Sequence, residues 1–156
     1  KIMDEVQLHP LRLHDTISTI HDFFEYMIAN TDWSSVAQHN IKVMQLESSA
    51  YIPLTYDFDM SGFVNAPYAT VSEMLDIASV RDRTYRGFCR NEALFQYVRS
   101  EYIRLEPEIM KVFTMNEAII NPKDFSGGQK YLGEFFDLLK NDFRFNENIV
   151  TKCRTK

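Results

Sequence analysis

Asn30-Thr31-Asp32-Trp33-Ser34-Ser35-Val36-Ala37-Gln38-His39-Asn40 runs into Ile41-Lys42-Val43-Met44-Gln45-Leu46, then Glu47-Ser48-Ser49-Ala50, Tyr51-Ile52-Pro53-Leu54-Thr55-Tyr56 and Asp57-Phe58-Asp59-Met60-Ser61-Gly62. A polar loop leads into two short apolar runs joined by small polar residues, which is the pattern of a β-hairpin with strands over 41–46 and 51–56. Pro53 has no N–H for a ladder, so the second strand belongs at an edge. A hairpin returns its second strand to the level where the first began. Asp57 therefore comes back beside Asn40, and Asp32 shares the loop with Asn40. A carboxylate, an amide and a second carboxylate converge, although Asp32 and Asp57 are 25 positions apart. Hydrophobic packing does not call for that set. Hard-metal chemistry does, because Mg²⁺ takes oxygen ligands from one or two carboxylates and the rest from water or phosphate.

Outward from this segment the pattern is helical. Ile17, Ile20, Phe23, Phe24, Met27 and Ile28 recur at steps of three and four, predicting a helix over 15–30 with Asp15 as N-cap. Beyond an irregular region, Asn91 suits the cap of a helix striped by Leu94, Phe95, Val98, Tyr102 and Leu105. Pro107 fits the first turn of a further helix reaching about Ile120. A last helix carries Tyr131, Leu132, Phe135, Phe136, Leu138 and Leu139, set off by the segment from Asn121-Pro122 to Gly127-Gly128. Gly62 suits a turn at positive φ. The expected class is α+β and mostly helical, a single domain over 1–156 with one two-stranded hairpin where the polar residues concentrate.

The 156 residues suffice to bury about 68–70% of the unfolded surface without a staple. Twelve Phe and eight Tyr argue for a packed core. A net charge of −5 excludes broad contact with a nucleic-acid backbone, which rests on clustered Lys and Arg. The longest apolar run, Phe23 to Ala29, is interrupted by Glu25, so no window is fit to span a membrane. Cys89 and Cys153 match no zinc spacing. Two free thiols are the favoured reading, and a disulfide pinning the C-terminus in an oxidising compartment is the alternative.

The order catalytic Asp, Asn, hairpin, metal-binding Asp is also that of protein kinases. Asn30-Thr31-Asp32-Trp33, His39-Asn40 and Tyr56-Asp57-Phe58-Asp59 resemble motifs of CotH-like kinases, a divergent branch of that superfamily. Val64-Asn65-Ala66-Pro67-Tyr68-Ala69 and Ser79-Val80-Arg81-Asp82-Arg83-Thr84-Tyr85-Arg86-Gly87 are similar to segments of a group of exported bacterial proteins. The resemblance covers roughly residues 20–140. It implies a kinase-like C-terminal lobe and phosphoryl transfer from ATP, with Mg²⁺ or Mn²⁺, to a protein or other hydroxyl acceptor, in an exported protein. Asp32 would be the catalytic base or orient the hydroxyl. Asn40 and Asp57 would hold the metal, with His39 and Asp59 as auxiliaries.

The chain departs from ordinary kinases in three ways. The interval from Asp32 to Asn40 is longer than D-x-x-x-x-N, the triplet is Asp-Phe-Asp, and there is no Gly-rich phosphate loop or evident nucleotide-clamping Lys. The resemblance places those last two in an N-terminal lobe expected upstream of Lys1.

Other readings stay open. Asp32 and Asn40 suit turn caps. Arg81, Arg83 and Arg86 suit phosphate or substrate, or else ion pairs that fix the irregular segment. Trp33 reads as a packing anchor, while His9, His14 and His21 show no metal spacing. A pseudokinase-type binding or surface-assembly module is the alternative function. Hydrolysis by a pair of carboxylates, Asp32 and Asp57, is a third, and it gives Asn40 no role.

Overall fold

The computed structural model describes residues 1–3 and 8–155. Asp15–Met27 forms helix α1, Glu92–Thr114 α2, Pro122–Lys140 α3 and Asp142–Phe145 the short α4, which continues as a π-helical turn, Asn146–Val150. Between α1 and α2 lies the hairpin, Ile41–Gln45 (β2) and Tyr51–Thr55 (β3). Ile2–Met3 (β1) adds a third antiparallel strand on the far side of β2. The sheet is therefore three-stranded rather than the expected two. The class is α+β, and β3 is an edge strand, where Pro53 opposite Val43 is tolerated.

The core lies where α1, α2 and α3 meet. Phe23 is fully buried, with the rings of Tyr85, Phe95, Tyr102 and Phe145 centred within 6.2 Å of its own. Burying one such side chain contributes about 1.5–3 kcal/mol. The buried face of α1 is turned from the expected stripe. Ser18, Thr19 and Glu25 are buried, whereas Ile20 is exposed, because Arg90 and β3 pack against the polar side of the helix. The N-cap is His14, whose Nδ1 accepts from Ile17 N, and not Asp15. Asp15 instead occupies the first helical position, where its charge suits the helix dipole, and pairs with Arg90.

Two expected boundaries within the closing helices are absent. Pro107 lies inside α2. Its ring removes one backbone hydrogen bond, yet packing on both sides holds the helix as one piece: Tyr102 meets Phe135 and Phe113 stacks on Phe125. Gly127 and Gly128 lie inside α3, which starts at Pro122 behind the Asn121 cap. A Cβ on Gly128 would stand 2.6 Å from Phe113 Cζ, so this glycine lets α2 and α3 approach.

Cys89 and Cys153 form a disulfide, Cα atoms 4.8 Å apart, which corrects the free-thiol expectation. Backbone bonds from Cys89 N to Arg154 O and from Arg154 N to Gly87 O lay the tail against the 81–90 segment, so the two sulfurs meet. Among the described residues no helix is long and apolar enough to cross a membrane.

Candidate functional site: the Asp32, Asn40 and Asp57 cluster

Helix α1 ends in a Schellman turn. Ala29 adopts φ 49°, Asn30 N donates to Glu25 O at 2.9 Å and Ala29 N to Tyr26 O at 3.2 Å. This stops the helix short of Asn30 and aims the chain into the polar loop. Gly62 N and Phe63 N then bond to Ala29 O and Ile28 O, bringing the segment after Asp57 back onto the helix end. Gly62 does not have positive φ. It is required by close approach, since a Cβ there would stand 2.2 Å from Val80 O.

The long interval between Asp32 and Asn40 has a local explanation. Ser34 and His39 exchange both backbone hydrogen bonds, at 2.9 and 3.1 Å, and residues 35–38 are looped out, with Gln38 at φ 53°. The loop is thereby shortened in space. Asn40 Nδ2 donates to Asp32 O at 2.9 Å and to Asp32 Oδ2 at 3.0 Å. His39 Nε2 is 2.9 Å from Asp32 Oδ1. Both oxygens of Asp32 are held, and Asp32 N bonds to Asn30 Oδ1. With its nitrogen committed to Asp32, the amide of Asn40 keeps its carbonyl oxygen as the metal-capable atom.

The hairpin completes the site. Tyr56 N donates to Asn40 O at 3.1 Å, one step beyond the Ile41–Thr55 pair, so Asp57 follows directly opposite the loop. Asn40 and Asp57 both lie in the left-handed region, φ 52° and 66°. Such backbone is uncommon outside glycine, although Asn and Asp tolerate it best. A hydrogen bond that the protonated Asp57 carboxyl donates to Asp59, and the charge of Asp59, push the Asp57 pKa up, and the charge of Asp32 adds to this. Tyr68 is held up likewise by its hydrogen bond to Asp59. The two carboxyl groups of Asp57 and Asp59 are thus close enough for hydrogen bonding, and Asp32 is near enough for its charge to be felt.

The arginines are otherwise engaged. Arg81 Nη1 donates to Gly62 O, Arg83 Nε to Met27 O and its Nη2 to Tyr131 O, and Arg86 Nη1 to Thr31 O. Arg81 and Arg83 both lie over the Tyr131 ring. Their donors stitch the irregular segment to the helix end and the polar loop, mostly through backbone carbonyls rather than the acids weighed from sequence.

One cluster escaped sequence reading. His21 Nδ1 is 3.1 Å from Asp22 Oδ1, and its Nε2 bonds to Thr55 Oγ1 and stands 3.2 Å from Glu25 Oε1 without hydrogen-bond geometry. Burial alone would depress the imidazole, but the hydrogen bond of Asp22 and the charges of Asp22 and Glu25 outweigh it and raise the pKa to about 9. Glu25 is 1% exposed, and neither of its oxygens has a hydrogen-bond partner. Acids one and four positions after a His on a helix are the signal that was available in the sequence. Trp33 is buried, as expected of an anchor, with its edge against His21 and its Nε1 donating to Asn30 O.

An apolar groove of about 630 Å³ lies between α1, α2 and the 58–64 segment, and Phe58 lines it. Among the described residues no three His, Cys, Asp or Glu side chains are grouped to hold a metal by themselves. The chain matches no family model, and no curated protein or solved structure matches it.

Proposed function

We propose that this chain is the metal- and phosphate-handling portion of a CotH-like phosphotransferase with a kinase-like C-terminal lobe. The observation that carries the reading is the convergence of Asp32, Asn40 and Asp57 across the hairpin, the last two at left-handed φ. The residues suit a hard divalent cation. The hydrogen bond to Asp59 and the negative charge of Asp59 raise the Asp57 pKa, a cation would relieve the repulsion, and Asn40 has a carbonyl oxygen to offer. With too few acids for an all-protein cage, the remaining ligands would be phosphate and water oxygens, as is usual for Mg²⁺. A bound Mg²⁺ or Mn²⁺ supplies charge neutralisation for the transferred phosphoryl group.

Asp32 then orients the acceptor hydroxyl and takes its proton. Its carboxylate plane is fixed for this by His39 on one oxygen and Asn40 on the other. Asn40 and Asp57 hold the cation, with Asp59 as auxiliary. ATP is the phosphoryl donor and a protein or other hydroxyl the acceptor, in an exported protein whose tail the disulfide closes.

The test is thermal stability with Mn-ATP and Mg-ATP, in the wild type and in Asp57→Ala. The reading expects stabilisation that the substitution abolishes. No shift in the wild type, or an equal shift in both, overturns it. Nucleotide binding without turnover of ATP would leave the pseudokinase alternative.

A further inference from the structure

The two arms of the site meet again beneath the surface, at His21. Its ring edge abuts Trp33, the neighbour of Asp32, with centroids 4.8 Å apart and planes at 89°. Its Nε2 bonds to Thr55, two positions before Asp57. One side chain therefore touches both the loop that carries Asp32 and the strand that delivers Asp57. We propose that His21 is a positioning residue: clamped by Asp22 and Glu25, it sets the separation of Asp32 and Asp57 through Trp33 and Thr55.

The clamp explains an otherwise costly choice. Glu25 is buried with no hydrogen-bond partner, and a buried carboxylate is tolerated only against a counter-charge. His21 is that counter-charge, at 3.2 Å. The pair fixes the imidazole on α1, a rigid element, so that both contacts of the ring are made from a stationary base. The neighbouring charged and titratable groups are few. Asp22 and Glu25 come from α1 itself, Tyr85 and Arg90 from the segment before α2, and Tyr102 from α2. Arg90 acts on Asp22, and the Tyr102 hydroxyl is occupied by Ile20 O, so the positive charge facing Glu25 is that of His21.

Two variants separate the arms. Thr55→Val keeps the shape and the β-branch but cuts the link to β3. His21→Gln removes the charge and the ring contact as well. The readouts are the Asp32–Asp57 carboxyl separation in crystal structures of the variants and the wild type, and the ¹⁹F resonance of 5-fluorotryptophan at Trp33, the sole tryptophan. In both variants the two carboxyl groups should stand farther apart than in the wild type, because the strut between the Trp33 loop and β3 is cut. The Trp33 resonance should move in His21→Gln and stay in Thr55→Val. If the separation in Thr55→Val equals that of the wild type, or if Trp33 moves there too, the proposal is overturned. Thr55→Val decides alone should His21→Gln fail to fold.

A Mn²⁺ titration adds a second arm, which rests on the phosphotransferase reading. Each variant should bind Mn²⁺ about tenfold more weakly, the lower end of what losing an outer-shell support costs a metal site. Equal affinity in variants and wild type counts against His21. A wild type that binds no Mn²⁺ overturns the metal reading instead, and the crystal structures and ¹⁹F spectra still judge the strut.

Discussion

The side-chain amide of Asn40 donates to both the backbone carbonyl and the carboxylate of Asp32, while the Asn40 backbone sits at φ 52°. Asn40 thus holds the loop shut with its side chain and turns the chain into β2 with its backbone. Asn40→Ala should lose about 2 kcal/mol, from a charge-assisted hydrogen bond and left-handed strain together. Asn40→Gly relieves the strain alone and should recover about 1 kcal/mol of that. Guanidinium unfolding of the two variants reads the difference, and equal losses would mean that the backbone conformation contributes nothing.

The Asp57 pKa is raised chiefly by the Asp59 carboxyl. Asp59→Asn should bring the Asp57 titration back toward that of an ordinary carboxyl, seen by carboxyl ¹³C NMR. On the proposed metal-binding reading a proton and a cation compete for Asp57, so Mn²⁺ affinity in the wild type should rise with pH through the Asp57 titration. In Asp59→Asn that rise should start at lower pH.

The imidazole of His21 is held at about 9, above the 6.5 of the unfolded chain. The folded state therefore binds the extra proton, and the stability this gives is complete below pH 6.5. It is lost as pH rises to about 9, amounting to about 3 kcal/mol. Denaturant midpoints across that window should fall in the wild type and remain flatter in His21→Gln. Asp22, raised by burial, acts in the same direction at lower pH.

Gly127 and Gly128 are adjacent in α3, but only the second faces Phe113. Gly128→Ala should cost about 1–3 kcal/mol by forcing α2 and α3 apart. Gly127→Ala, whose Cβ meets nothing within 4 Å, should stabilise by about 0.5–1 kcal/mol through helix propensity. Thermal melts of the pair decide it, and the same sign for both would refute the helix contact.

The Cys89–Cys153 bridge spans 64 positions. Closing a loop of that length should stabilise by about 4 kcal/mol in the chain-entropy account. Reduction, or Cys153→Ser, should lower the unfolding free energy by that order, and a loss under ~1 kcal/mol would contradict it.

What the sequence determined by itself is local. The hairpin at 41–56 was legible because alternation, a polar joint and an edge proline agree. The Asn91 cap, and the convergence of Asp32, Asn40 and Asp57 that follows from the hairpin, were legible for the same reason: each depends on residues near in sequence or on strand pairing. Tertiary packing decided the rest. Pro107 and the Gly127-Gly128 pair carry strong local break signals, and contacts from Phe113, Phe125 and Phe135 overrode them. The pairing of Cys89 with Cys153, the third strand and the turning of α1 depend on segments far apart in the chain. The loop spacing that departs from ordinary kinases is absorbed by the Ser34–His39 bridge, which no spacing rule displays. His21 was invisible as a strut because its two contacts, Trp33 and Thr55, become neighbours only when the hairpin folds back over α1.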